Sequence, residues 1–198
     1  MPKKVVVVGS GNAALSAGIA ALEKGADVVI YEKADKKMAG GNTKYTAGAM
    51  RFSYENGDQL IDLLKHPDDK RIKDTDFGTY TNEKFSLDLL NFNDGRPLSP
   101  EQNILVSKSF ETIQWLASHN VKFEPIYSRQ SFLKNGKHIF WGGLTLASEN
   151  EGVGLFDQEL AAFLSLGGEI HYNSPVTKLI VENHKVIGLL VDNKSVEA

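Results

Sequence analysis

Residues 5–14 read Val5-Val6-Val7-Val8-Gly9-Ser10-Gly11-Asn12-Ala13-Ala14. Four consecutive β-branched residues are the pattern of a strand covered on both faces, as parallel strands of α/β proteins are, and they predict a central strand. The glycines that follow interrupt the run and match G-x-G-x-x-A, a dinucleotide-binding fingerprint when it opens a helix. Gly9 permits the tight turn, Gly11 lets the backbone approach a pyrophosphate, and Ala14 allows a helix to lie close to a strand. Ser10, Asn12 and Ala13 complete the turn, where a helix start offers unpaired N–H groups and a partial positive charge to an anion. Taken alone, the same motif also reads as a glycine-rich turn of an unrelated α/β domain.

Working outward, Ala13, Ala14, Ala17, Gly18, Ala20 and Ala21 predict a helix over 12–24 that can pack tightly on a sheet, with Gly25 as its stop. Residues 27–31 then form a second strand, so the segment is a βαβ unit with a right-handed crossover. Glu32 ends that strand roughly 20 residues beyond the glycines, where a carboxylate accepts hydrogen bonds from adenosine ribose hydroxyls and disfavours a 2′-phosphate. Lys33 reads as a solvent-facing charge whose backbone is within reach of the adenosine. These features suit NAD and FAD alike.

Further on, the long segment 33–53 carries Gly40, Gly41 and Gly48 with little periodicity and reads as an ordered functional loop. A helix is predicted over 57–65, ended by His66-Pro67, and a short one over 83–91. Ser99-Pro100-Glu101-Gln102 is a capping box with proline at the first helical position, and Ile104, Leu105, Ile113, Leu116 and Ala117 are the expected buried stripe of the helix that follows. Asn135-Gly136 predicts a tight hairpin. A helix over 155–166, stopped by Gly167-Gly168, precedes a strand over 169–172, and a last hairpin joins 178–182 to 186–192 at Asn183-His184. The layout is α/β: one Rossmann-like domain over 1–198 with a parallel central sheet, interrupted by a helical and β insertion over 54–151.

Composition narrows the chemistry. With 41% hydrophobic and 24% charged residues the chain is globular, and a net charge of -3 without a basic block gives no footprint for nucleic acid or anionic lipid. The absence of cysteine excludes disulfides, thiolate metal sites and iron–sulfur clusters held by this chain. Met1-Pro2-Lys3-Lys4 resembles the charged start of a signal peptide, but the apolar run after it is too short. No run of about 18 apolar residues predicts a membrane span, which makes the cytoplasm the default compartment. The five histidines, His66, His119, His138, His171 and His184, lack metal-ligand spacing. Arg51 and Arg129 are candidates for pairing with a carboxylate substrate, and the glycines of Trp141-Gly142-Gly143 and Gly152-Val153-Gly154 either allow close approach to a ligand or simply make turns.

The loop Gly40-Gly41-Asn42-Thr43-Lys44-Tyr45-Thr46-Ala47-Gly48-Ala49, with the first βαβ unit, resembles the fumarate reductase and succinate dehydrogenase flavoprotein superfamily. The G-G-N-T form looks most like its tricarballylate dehydrogenase branch. The resemblance covers 1–53 well and 152–192 moderately. It implies FAD as the cofactor, with Gly40, Gly41, Asn42, Thr43 and Gly48 reaching the pyrophosphate, ribityl chain and flavin. The family often has a second glycine where Ala49 stands. Ser174-Pro175-Val176 sits where the family places a valine whose backbone contacts adenine, so Val176 joins the candidate site. Covalently flavinylated members attach FAD through a histidine at about the position of Asn42, which implies FAD held non-covalently here. The resemblance further implies a small-molecule substrate such as a carboxylic acid, an electron-transfer partner, and a capping domain and flavin-domain return beyond these residues; the expectation is a portion without dehydrogenase activity of its own. The catalytic residues are unassigned. An NAD-dependent dehydrogenase and a non-catalytic FAD-binding module are the competing readings.

Overall fold

The β-branched run forms a strand because Val5–Val8 have few helical rotamers and pack well on a pleated surface. In the computed structural model, which describes residues 2–197 and so excludes Met1 and Ala198, the elements follow in this order: β1 (Lys4–Val8), α1 (Asn12–Glu23), β2 (Asp27–Tyr31), a 3₁₀ turn (Gly41–Tyr45), α2 (Asp58–Ile61), β3 (Thr75–Asp76), α3 (Asn82–Phe92), α4 (Pro100–Ser118), β4 (Phe123–Pro125), α5 (Tyr127–Gln130), β5 (Ser131–Lys134), β6 (Lys137–Phe140), β7 (Leu146–Ser148), α6 (Glu151–Ser165), β8 (Glu169–His171), β9 (Val176–Glu182), β10 (Lys185–Val191) and β11 (Lys194–Glu197). The chain divides into two compact units, Met1–Thr46 with Gly152–Ala198, and Ala47–Glu151.

The first unit is Rossmann-like. β1 pairs with β2 in parallel from Lys4 opposite Asp27 to Val8 opposite Tyr31, with α1 as the crossover, and β8 extends the sheet in parallel on the other side of β2. The order β1-β2-β8 corrects one expectation: among the described residues β2, not β1, is central, and Val8 is half exposed. A run of valines reports a strand that apolar neighbours can cover, but says nothing of how many strands lie beside it.

Small residues set the packing of this unit. A Cβ on Gly18 of α1 would stand 2.8 Å from the ring of Phe163 on α6, and one on Gly168 would stand 2.3 Å from the same ring. Phe163 is fully buried there with Leu15, Ile19 and Ile30, a burial worth roughly 1.5 to 3 kcal/mol for each large apolar side chain. Both helices close alike. Gly25 donates to Leu22 O and Ala26 to Ala21 O, while Gly167 donates to Leu164 O and Gly168 to Phe163 O. These paired bonds turn the chain through a left-handed residue, φ +76° at Gly25 and +90° at Gly167. An antiparallel meander β11-β10-β9 completes the unit; its hairpin turns at Asn183-His184 as expected, whereas β11 was not foreseen.

The second unit carries the helical and β elements between 47 and 151. Ser99 accepts from the Gln102 N–H while the Gln102 side chain accepts from the Ser99 N–H, the anticipated capping box. The buried stripe of α4 is Val106, Ser109, Ile113 and Leu116, whereas Ile104 and Leu105 are mostly exposed. The second turn of α4 thus turns two apolar side chains to solvent, which helical spacing alone does not forbid. β5 and β6 meet in the hairpin at Asn135-Gly136, both with positive φ. The helix predicted over 57–65 shortens to α2.

Candidate cofactor site

The fingerprint turn leaves β1 through Gly9, at φ +89°, whose N–H donates to Tyr31 O of the neighbouring strand across 2.8 Å. That places Ser10 beside the end of β2, where its hydroxyl donates to Glu32 Oε2 at 2.6 Å; both residues are buried. The other Glu32 oxygen accepts the Ala34 N–H at 2.7 Å. The Glu32 backbone accepts the Ser174 N–H at 2.8 Å, and Ala34 O accepts the Asn173 N–H at 2.9 Å. The segment leading into Val176 is therefore tied directly to the strand end that carries Glu32. Lys33 is exposed, and Val176 begins β9 half-buried.

The glycine-rich loop folds onto the same turn. Ser10 Oγ accepts the Gly40 N–H at 3.0 Å, and Thr43 Oγ1 accepts the Asn12 N–H, one of the unpaired donors of the first turn of α1, at 2.9 Å. Gly40 and Gly41 both take positive φ, +106° and +52°. Lys44 holds the loop by lying over the Phe156 ring at 4.8 Å and donating to Lys37 O. α6 closes in on the loop as well, since a Cβ on Gly152 would stand 2.0 Å from Thr43 O. Gly152 and Gly154 are thus helical residues and not turn glycines.

One residue missed by the sequence reading stands at the start of α1. Glu159 of α6 is fully buried; Ser16 Oγ donates to its Oε1 at 2.8 Å, and the Asn12 carboxamide, oriented to satisfy its neighbours, donates to its two oxygens at 2.8 and 3.0 Å. Burial pushes its carboxyl up to about 7, against the lowering effect of the Ser16 bond. In sequence it is one acid within a helix of mixed composition, with no local signal that it faces Asn12 and Ser16 on α1.

Gly48 and Ala49 belong to the second unit. Gly48, at φ +64°, is closed in by Ser148 Oγ and the Glu151 backbone, and Ala49 bridges to Ala147. Arg51 is engaged by Tyr80 and Asp88 at 2.8 and 3.2 Å, and Arg129 by Glu151 at 2.9 Å. Among the described residues no group of three or more His, Asp and Glu is placed to hold a metal ion, and no helix is long and apolar enough to cross a membrane.

Residues 4–198 match the family described as FAD binding domain. The chain belongs to this FAD binding domain family. FAD is its cofactor, and the first unit fits it: a Cβ built on Gly9 or Gly41 meets nothing within 4 Å, so both positive-φ glycines border open space. Ala13, Gly41 and Asn42 are exposed. The chain is 26% identical over 192 residues to a probable fumarate reductase, Ifc3, of Shewanella frigidimarina, covering 96% of this chain and 29% of that protein. It is similar to the open conformation of a flavocytochrome c3 fumarate reductase, with 25% identity, a TM-score of 0.65, and coverage of 97% of this chain and 30% of the other. A 3-ketosteroid delta1-dehydrogenase from Sterolibacterium denitrificans, 14% identical with a TM-score of 0.71 over 97% of this chain and 45% of the other, shares the fold. The chain spans less than a third of the length of the curated relatives it matches.

Proposed function

We propose that these residues are the adenine-dinucleotide side of an FAD-dependent oxidoreductase acting on a small carboxylic acid, of the tricarballylate dehydrogenase-like branch. The observation that carries the FAD site is the bond sequence Gly40 N–H to Ser10 Oγ and Ser10 O–H to Glu32, which gathers fingerprint, strand-end acid and glycine-rich loop into one cradle. An NAD site needs the first two and has no use for the third. The fumarate reductase names of the relatives support a carboxylic acid substrate, and the Gly40-Gly41-Asn42-Thr43 run supports the branch.

In this reading the start of α1 takes the pyrophosphate: Gly9 makes the turn, the backbone N–H groups of Gly11 and Ala13 serve the anion, Asn12 is held in place by Thr43 and Ala14 keeps the helix close to the strand, while Glu32 accepts from the ribose hydroxyls. Lys33 and Val176 contact the adenosine through their backbones. Gly40, Gly41, Asn42 and Thr43 follow the chain toward the flavin, a role the family resemblance extends to Gly48 and Ala49. When bound, FAD supplies exchange of electrons and hydride with a carbon substrate, and the protein supplies position.

Titration with FAD and with NAD, followed by flavin or nicotinamide fluorescence, tests the cofactor reading: FAD binds more tightly, and a preference for NAD would overturn it. Dye-linked oxidation and reduction of di- and tricarboxylic acids by the same chain then tests the activity. Bound flavin without turnover is the result expected of a portion of the enzyme. Steady turnover would place a complete active site within residues assigned here to loop and insertion.

A further inference from the structure

A buried acid beside the start of α1 is at odds with an anion-binding role for that same helix end. The first turn carries partial positive charge and unpaired N–H groups, both suited to a pyrophosphate. When ionised, Glu159 is a second anion there: it touches the first helical residue through Asn12 and the next turn through Ser16. Its carboxyl has no exposed surface.

Resting on the FAD reading of this site, we propose that Glu159 is a proton-linked positioning residue for the cofactor: charged, it accepts from Asn12 and Ser16 and competes with the pyrophosphate for the positive end of α1; neutral, it donates its O–H to the Asn12 carboxamide oxygen, the carboxamide turned over, and no longer opposes the anion. Cofactor binding and protonation of Glu159 therefore favour each other, as linkage requires. Two anions near one helix end raise the cost of ionising the buried one. The environment of Glu159 holds no competing charge that would mask this. From α1 it is faced by Asn12 and Ser16, which do not titrate. On the loop that also packs on α6, Lys44 is directed at Phe156 and Lys37 O. Glu32 is directed at Ser10 and Ala34. Burial and the Ser16 bond account for its shift, with no charged neighbour contributing.

The test is the FAD affinity of the full chain across pH, by flavin fluorescence, in wild type and Glu159→Gln. A pyrophosphate diester keeps a constant charge over this range, so the dependence reports the protein. We expect wild-type affinity to fall about tenfold between about pH 5.5 and about pH 8.5, the result of a pKa raised by about one unit on binding. Glu159→Gln, neutral at every pH, holds the affinity that wild type has at the acid end. Calorimetry of wild type in buffers of different ionisation enthalpy gives net proton uptake on FAD binding, a readout that needs no variant and that a purely structural role would not move. An unchanged pH slope in Glu159→Gln, or absence of proton uptake by wild type, overturns the proposal while leaving the FAD site intact. Failure of wild type to bind FAD at any pH overturns the site assignment and this inference with it.

Discussion

Ser10 gives its single hydroxyl proton to Glu32 and receives the Gly40 N–H in return, at 2.6 and 3.0 Å, within a buried pocket of the first unit. Replacing it by alanine leaves a buried N–H without its acceptor and a carboxylate oxygen without its donor. Ser10→Ala should cost about 1 to 3 kcal/mol in urea denaturation, because the desolvation of both groups is no longer compensated. FAD affinity should fall with it, since the Gly40 loop loses its tie to the turn. A variant with wild-type stability and wild-type affinity would sever this link between the two glycine-rich segments.

Gly41 and Gly152 need to be glycine for different reasons. Alanine at Gly41 finds open space but must adopt φ +52°, which costs about 1 to 2 kcal/mol. Alanine at Gly152 keeps an ordinary backbone but drives its methyl into Thr43 O, 2.0 Å away, and Thr46 Oγ1, 2.6 Å away. Gly152→Ala should therefore destabilise by about 1 to 3 kcal/mol as an overpacked site does, and displace the loop. Thermal melts and FAD titrations of the two variants separate the cases: Gly41→Ala shows a small loss of stability, Gly152→Ala a larger loss of both. The reverse order would contradict the packing described.

The carboxyl of Glu159 lies raised from 4.5 to about 7 by burial. The folded state therefore holds a proton that the unfolded chain has already released over that interval. Stability is highest below about pH 4.5 as far as this group is concerned, falls as pH rises toward about 7, and is constant above, by an amount of order 3 kcal/mol at most. Glu159→Gln should remove this slope and be the more stable protein at neutral pH. Melting temperatures of the cofactor-free proteins at about pH 5 and about pH 8 measure the difference; equal slopes would show that the acid is not buried in solution.

Asn42 is exposed at the 3₁₀ turn, and a neutral carboxamide offers no nucleophile to the flavin. FAD bound by the chain should be released by acid or heat, and the precipitated polypeptide should be colourless. Flavin that remains with the precipitate would falsify non-covalent attachment and point to another residue of the loop.

The first βαβ unit was legible because each of its signals is local. A β-branched run, two glycines, small residues along a helix and Gly25 at its end give β1, α1 and β2 with their bounds nearly unchanged. Glu32 was legible through its distance from the glycines, and the Gly40 loop through family resemblance. What stayed hidden depends on contacts remote in sequence. The Asn12–Glu159 pair spans two helices, and nothing in either segment alone names the other. The same holds for Arg51, whose apparent freedom ends at Tyr80 and Asp88. In α4, the apolar Ile104 and Leu105 sit at plausible helical positions but face water, because burial depends on which neighbour arrives, and Ser109 is buried by its bonds to Ser53.

β1 meets only one neighbouring strand among the described residues. Its outer margin is a ladder of peptide donors and acceptors repeating every 3.3 Å or so, borne on valines that favour extended partners. Such a margin is a template, and a strand of compatible pattern can dock on it whether it comes from elsewhere in the polypeptide or from another molecule. Lys3 and Lys4, both exposed, guard one end by charge, while Val8 at the other end has no such guard. Handling of the isolated chain should therefore be sensitive to concentration and to salt, with higher ionic strength weakening the lysine repulsion and promoting sticking along this margin.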